Sequence, residues 1–413
     1  MLSLIVVAVF VVCAYFLYVD LQLRVPDNLC NWHWVQATEW VVRCIHMRPV
    51  VVLGWFDINY KVAYEQSLCS LGNCVLRLLN KRDPSVEISK TEFDGVPVDI
   101  FKPKNVAQSR CTIFYLHGGG FVLDFAELYK PTAVQLAKRL DCVVVYVHYR
   151  LSPTYTFPAP VVDCEKAILH YLTICRDEYS ADPTKYAFVG DSVGGNLSAI
   201  MTQKMLKKPT LSPPTAVALI YPVTQLFDCQ SPSHQICTRL YGRTALLSSA
   251  TYARWKLHYF LGRDITEQDV QDAVANRHVP DSVRAEAQDL GHSLIPEELK
   301  RPPLYQSPGR VPVNAKLYER LRSSLLSLDA SPLLASDAVI RAHPPTLVIT
   351  VESDILRDDG IWYVRRLESC AVRVKWKHFP NFTHGQMGGC EIATSAIQAE
   401  IVEFLAEMFQ KKQ

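Results

Sequence analysis

From residue 86 onward, short runs of β-branched and aromatic residues alternate with stretches whose apolar positions recur every third or fourth residue. Residues 86–88 and 96–101 flank Asp94-Gly95, a dipeptide suited to the positive φ values of a tight turn, so the pattern predicts a hairpin. The apolar runs 112–116, 142–147, 186–189, 216–221 and 346–351 predict buried strands, and 372–379 alternates as one more. Between them, Ala133, Leu136, Ala137 and Leu140 share a helical face, as do Val161, Cys164, Ile168 and Tyr171. Helices are also predicted over 361–367 and over 392–408, the latter followed by Lys411-Lys412 at the negative end of its dipole. Alternation of this kind implies an α/β fold with a mostly parallel sheet covered by helices on both faces. The interval 225–336 breaks the rhythm with Ser, Pro, Arg and polar helix. It is expected to form a helical cap over the carboxyl edge of the sheet.

The N-terminus has a different pattern. Residues 2–19 carry no charge, a length that just crosses the hydrocarbon core as a helix. A cleaved signal peptide is the competing reading, but there is no basic stretch before the run and no small-x-small cleavage site after it. Charge leaves the orientation open, because Arg24 is the sole basic side chain close behind. Trp32, Trp34 and Trp40 suit an amphipathic helix, lying either on a membrane interface or on the globular body. The expected organisation is therefore an anchor (1–20), a membrane-proximal helical segment contributing to the cap (21–85), a first part of the core (86–224), the cap insertion (225–336) and a second part of the core (337–413).

Composition narrows the function classes. The 413 residues are 49% hydrophobic and 20% charged, with a net charge of +2, which favours neither nucleic acid nor an acidic partner. The 13 cysteines are scattered without a Cys-x-x-Cys pair, so neither structural zinc nor a disulfide framework is expected, although one or two bridges are compatible with the spacing.

The candidate chemistry is acyl transfer, which needs a nucleophile, a base, an acid to orient the base and donors for an oxyanion. After the 186–189 strand comes Gly190-Asp191-Ser192-Val193-Gly194, followed by a stretch able to open a helix. A serine on such a strand-to-helix turn stands clear of the sheet, with Gly190 and Gly194 removing side chains that would clash. His117-Gly118-Gly119-Gly120 closes the 112–116 strand, and three glycines let backbone amides approach a substrate carbonyl. Gly118 and Gly119, with Val193 just after the serine, are the expected oxyanion donors; His117 and Gly120 complete the loop. Asp354, on the loop after the 346–351 strand, is the expected orienting acid, with Glu352 the rival and Asp358 and Asp359 read as a helix cap. Of 12 histidines, His384 lies between the last strand and the last helix, giving the order Ser192, Asp354, His384. His378 and His148 belong to strand patterns.

These segments, together with Tyr149-Arg150-Leu151-Ser152-Pro153 and Asp354-Ile355-Leu356-Arg357-Asp358-Asp359-Gly360, resemble the hormone-sensitive-lipase-like branch of the α/β-hydrolases. With the N-terminal apolar run, the resemblance is to its arylacetamide-deacetylase group and covers nearly the whole chain. It implies a single-pass enzyme of the endoplasmic reticulum membrane with a lumenal catalytic domain. The implied substrates are small lipophilic esters or amides, with no cofactor and no metal. Three departures bear on substrate range: Val193 where the branch commonly has Ala, Asp124 expected near the pocket mouth, and Gln386 where an aromatic is usual. The second function class compatible with the chain is a ligand-binding protein on a hydrolase scaffold with reduced turnover. Two sequons occur. Asn196 is expected to be buried and unmodified, and Asn381, expected on a loop, is the candidate glycosylation site.

Overall fold

The computed structural model describes residues 25–81, 83–104, 110–242, 244 and 247–410. The apolar run 2–19 and Lys411-Lys412 lie outside them, and among the described residues no helix is long and apolar enough to cross a membrane.

Among the described residues three helices come first: α1 (Trp32–Val42), α2 (Arg48–Gly54) and α3 (Ile58–Leu79), with a π-helical turn over Arg43–Met47 between the first two. The hairpin β1 (Val86–Phe93) and β2 (Val96–Pro103) follows, turning at Asp94 and Gly95 with φ of 50° and 77°. Then come β3 (Arg110–Leu116), α4 (Ala126–Leu140), β4 (Val143–Val147), α5 (Ala159–Tyr179), β5 (Ala181–Asp191), α6 (Val193–Leu206) and β6 (Ala216–Ile220). Six helices separate β6 from the rest of the core: α7 (Pro232–Tyr241), α8 (Ser249–Leu261), α9 (Glu267–Val274), α10 (Asp281–Leu290), α11 (Glu297–Lys300) and α12 (Ala315–Leu325). The chain returns through α13 (Asp337–Arg341), β7 (Thr346–Ser353), α14 (Arg357–Ser369), β8 (Val374–Thr383) and α15 (Glu391–Gln410).

The eight strands of the described residues form one sheet in the order β1-β2-β4-β3-β5-β6-β7-β8. β2 is antiparallel to both neighbours, and the other pairs are parallel. Side-chain period two sorts the central strands onto two cores. Phe114, Val145, Phe188, Leu219 and Val348 pack on the face covered by α5, α6 and α14. Ile113, Val144, Val189, Ala218 and Ile349 pack on the opposite face under α4 and α15. Burying one such Val, Leu or Phe contributes about 1.5–3 kcal/mol, so the sheet centre is a main source of the fold's stability.

Two details differ from the sequence reading. Asn381 belongs to β8, half-buried, with its carbonyl accepting the Cys30 amide, because the last strand runs four residues beyond 379. Asp358 and Asp359 do not cap α14. Asp359 is fully buried and accepts from the Thr224 and Gln225 amides, and Asp358 accepts from the Ser233 amide, so both acids bind the start of the inserted helices to the core. Burial pushes Asp359 up to about 8 against these donors. The twelve described cysteines form no disulfide.

Candidate active site

β5 delivers Ser192 into a left-handed conformation, φ 55° and ψ −120°, from which α6 starts at Val193. Such a non-glycine conformation costs about 1–3 kcal/mol and persists only where its surroundings hold it. They do: the Ser192 amide donates to the Ile220 carbonyl at 2.9 Å, and the Ser192 carbonyl accepts the Val223 amide at 3.1 Å. The flanking glycines are sterically required. A Cβ on Gly194 would sit 1.9 Å from the Leu116 carbonyl oxygen, and one on Gly190 would sit 2.2 Å from that of Gly194.

Two neighbouring strands bring the partners. Asp354 leaves the end of β7 fully buried, its Oδ1 held by the Leu356 amide at 2.8 Å. His384 follows β8 directly. Its Nδ1 lies 2.8 Å from Asp354 Oδ2, and its Nε2 lies 3.0 Å from Ser192 Oγ. An ionised Asp354 accepts only, so Nδ1 carries the proton and Nε2 presents its lone pair to the serine hydroxyl. Thr383, just before it, is pinned by donating its hydroxyl to the Ser353 carbonyl and its amide to Gln386 Oε1.

The glycine loop is arranged otherwise than expected. The Gly118 amide already donates to Asp191 Oδ1 at 2.9 Å, so it is not a free oxyanion donor. Gly119 and Gly120, with φ of 118° and 66°, line the cavity beside Val193, and no described acceptor engages their amides. Asp191 therefore holds the loop, with the Tyr129 hydroxyl donating to its other oxygen at 2.7 Å. Burial pushes the Asp191 carboxyl up to about 6, against those two hydrogen bonds and the field of His384. Neither Asp191 nor Tyr129 was assigned from the sequence, although Asp191 is the residue before the serine. His117 is buried, stacked on Tyr149 at 4.2 Å, and Tyr149 donates its hydroxyl to the His117 carbonyl.

The departures noted in the sequence fall into two groups. Val193 lines the cavity. Asp124 does not stand at its mouth: it accepts from the Tyr146 hydroxyl at 2.9 Å and lies 2.7 Å from His148 Nδ1. Its carboxyl, which burial alone would raise, is held well below the usual range by the charges and hydrogen bonds of His117, His148 and Tyr146. Gln386 is likewise buried and spent on the Thr383 amide. Glu352 pairs with Arg301, Arg357 and His378, away from His384.

Ser192 and His384 open onto a cavity of about 290 Å³ whose walls include Leu128, Val223, Leu247, Tyr252 and Trp255. Glu65 of α3 supports this wall from behind. It accepts two bonds from Arg254 at 2.7 and 2.8 Å and one from Trp255 Nε1 at 2.9 Å, and these hold its carboxyl down to about 2 against the effect of burial. A larger concavity of about 760 Å³ lies at the far end of α3 among Arg77, Lys81 and Lys90 and contains none of these groups.

The family described as alpha/beta hydrolase fold matches residues 113–295 and 297–388, more than half of the chain. The chain belongs to this α/β-hydrolase family. A carboxylesterase family also matches residues 69–156. Arylacetamide deacetylase of Oryctolagus cuniculus is 31% identical over 95% of this chain and 96% of its own. Neutral cholesterol ester hydrolase 1 of Mus musculus is 35% identical over 76% of each chain. Among solved structures, an esterase from Pyrobaculum calidifontis superposes with a TM-score of 0.61 at 25% identity, covering 84% of this α/β hydrolase and 93% of that chain. A bacterial heroin esterase shares the fold with a TM-score of 0.60 at 24% identity, covering 86% and 93%. The α/β hydrolase is thus an enzyme of the carboxylesterase and deacetylase type.

Proposed function

We propose that this α/β hydrolase is a membrane-anchored serine hydrolase that cleaves ester or amide bonds of small lipophilic substrates. Ser192 is the nucleophile, His384 the general base, and Asp354 the residue that orients it. The observation that carries the reading is the unbroken relay of 2.8 and 3.0 Å from a buried carboxylate through an imidazole to a strained serine on a cavity wall. In the reaction, Ser192 Oγ attacks the substrate carbonyl carbon as its proton passes to His384 Nε2. The carbonyl oxygen becomes an oxyanion held by the amides of Gly119, Gly120 and Val193, and one such donor is worth about 2.7–4 kcal/mol. His384 then returns the proton to the departing alcohol or amine, leaving an acyl ester on Ser192. Water, activated by the same imidazole, releases the acid and restores the serine. Asp354 keeps Nδ1 protonated and stabilises the imidazolium that forms.

The lining argues for the substrate class. Apart from the reacting groups it is largely aromatic and aliphatic, with His46, Asp191 and Thr251 the polar exceptions, and a cavity near the small end of the ligand-pocket range, about 300–1,000 Å³, suits a compact acyl or aryl group. The relatives, a cholesterol ester hydrolase and an arylacetamide deacetylase, point to esters and amides of apolar molecules. Residues 2–19 would hold the chain in the endoplasmic reticulum membrane with the catalytic part in the lumen, where Asn381 is the candidate glycan acceptor. Asn196 is not one: it is fully buried and donates to the Ala330 carbonyl.

The test is hydrolysis of p-nitrophenyl acetate by the full-length chain in detergent. Turnover lost in Ser192→Ala is the expected result. A wild-type chain that binds such esters without turning them over would instead be the ligand-binding protein.

A further inference from the structure

The stretch from α1 to the start of α3 has its polarity reversed. Gln36, Glu39 and Arg43 are buried, with Glu39 and Arg43 paired one turn apart and Gln36 Oε1 accepting the Val25 amide. Apolar side chains of the same stretch face outward instead: Val41, Ile45, Val51 and Val52, then Trp55 and Phe56, the last two 75% and 77% exposed. A helix that meets water shows the opposite arrangement, and large exposed apolar side chains in succession mark a surface that something covers. α3 fastens the stretch to the body from its inner side. Val62 and Glu65 are buried, and the Gln66 side-chain amide donates to the carbonyls of Val122 and Ser152. His46, within the outward stretch, lies 3.2 Å from Glu65 and lines the Ser192 cavity. The apolar face and the cavity wall are therefore parts of one segment.

We infer that the face formed by Val41, Ile45, Val51, Val52, Trp55 and Phe56 seats on the bilayer surface and admits lipid-dissolved esters sideways into the Ser192 cavity. This rests on the proposed hydrolase function. The occupant follows from the chain that precedes α1. Residues 2–19 carry no charge, and only the five residues 20–24 separate them from Val25, whose amide is tied to α1. Fully extended, five residues span at most about 18 Å, so a bilayer entered by residues 2–19 lies close beside α1. Trp and Phe at such a boundary bury apolar rings among the acyl chains while the rest of the domain stays in water.

The test uses the full-length chain reconstituted into phosphatidylcholine vesicles, comparing wild type, Trp55→Ser with Phe56→Ser, and Val51→Ser with Val52→Ser. The expected result is that kcat/KM for a long-chain ester dissolved in the bilayer falls about tenfold or more in both variants, while p-nitrophenyl acetate hydrolysis stays within about twofold. Brominated lipid should quench wild-type tryptophan fluorescence more than that of Trp55→Phe. Unchanged bilayer-ester kinetics with unchanged quenching would overturn the inference. So would a detergent-solubilised dimer that the Trp55/Phe56 variant dissociates, since a second copy would then cover the face. If wild type fails to hydrolyse p-nitrophenyl acetate, the proposed function fails, and the quenching comparison still decides whether the face meets lipid.

Discussion

Two histidine–aspartate pairs in this molecule are almost the same as local chemistry. His384 Nδ1 lies 2.8 Å from Asp354, and His292 Nε2 lies 2.9 Å from Asp228; both carboxylates are buried. What differs is the group on the other nitrogen. For His384 it is the hydroxyl of Ser192, at a strained turn on a cavity wall beside glycine amides that no described acceptor engages. For His292 it is the Tyr305 hydroxyl at 2.9 Å, in a site where Trp362 stacks on the ring at 5.7 Å. The first arrangement leaves an imidazole nitrogen aimed at a serine hydroxyl that opens onto a cavity. The second satisfies both nitrogens and joins the inserted helices to α14. A His–Asp couple is therefore not itself the mark of the site. Its third member and the space around it are.

The largest contrast comes from breaking each pair. Ser192→Ala and His384→Ala should each lower kcat by about 10⁴–10⁶-fold, and the double variant should be no worse, because the two act as one unit. His292→Ala should leave kcat per folded molecule within about threefold while reducing stability by about 1–3 kcal/mol, since buried Asp228 loses one partner and keeps the Asn276 side chain and the Gln230 amide. Steady-state esterase kinetics with urea unfolding on the same preparations checks both halves. Equal kinetic losses at His292 and His384 would erase the distinction.

An intermediate effect should come from the glycine loop. Gly119 has φ 118°, and a Cβ there would lie 2.0 Å from the Leu123 carbonyl oxygen, so Gly119→Ala must move the backbone. The loss should be about 10²–10³-fold in kcat with little change in KM, the signature of a donor used mainly in the transition state. A KM effect alone would place Gly119 in ground-state binding.

A third histidine sharpens the comparison by pH, with the smallest effect. His148 lies between Asp124 and Asp99, at 2.7 and 3.3 Å. Burial alone would lower its pKa, but the hydrogen bonds and charges of these two acids raise it to about 9. A histidine raised in the folded state adds stability that is complete below about 6.5 and is lost as pH climbs through the folded value. His148→Gln should thus melt about 2–5 °C below wild type near neutrality, with the gap closing by pH 9.5. A gap constant with pH would show that His148 acts by packing alone.

The parts legible in the sequence are those set by short-range pattern. The elbow at Ser192, the triglycine, the strand ahead of Asp354 and the loop at His384 each announce themselves within a dozen residues, and parallel strands then bring their carboxyl ends together. What stayed hidden depends on partners far away in the chain. Whether Gly118 is a free donor depends on where Asp191, 73 residues later, turns its carboxylate. Asp358 and Asp359 look like ordinary cap residues until Ser233 and Thr224 are seen bound to them, 125 and 135 residues distant. The burial of Gln36, Glu39 and Arg43 on α1 is invisible to a periodicity argument, which finds an amphipathic helix and leaves open what its apolar face meets. Asn381 reads as a loop residue because the alternating pattern stops at 379, whereas β8 resumes its pairing at Thr383 after a register shift.

Ser192, and no other hydroxyl, should be the activated nucleophile. Reacting the full-length chain with a fluorophosphonate and mapping the adduct by peptide mass spectrometry tests it most directly. A single adduct on the peptide carrying Ser192, abolished in His384→Ala and retained in His292→Ala, is the predicted result. An adduct on another residue, or labelling of the folded His384→Ala chain at the wild-type rate, would contradict the account.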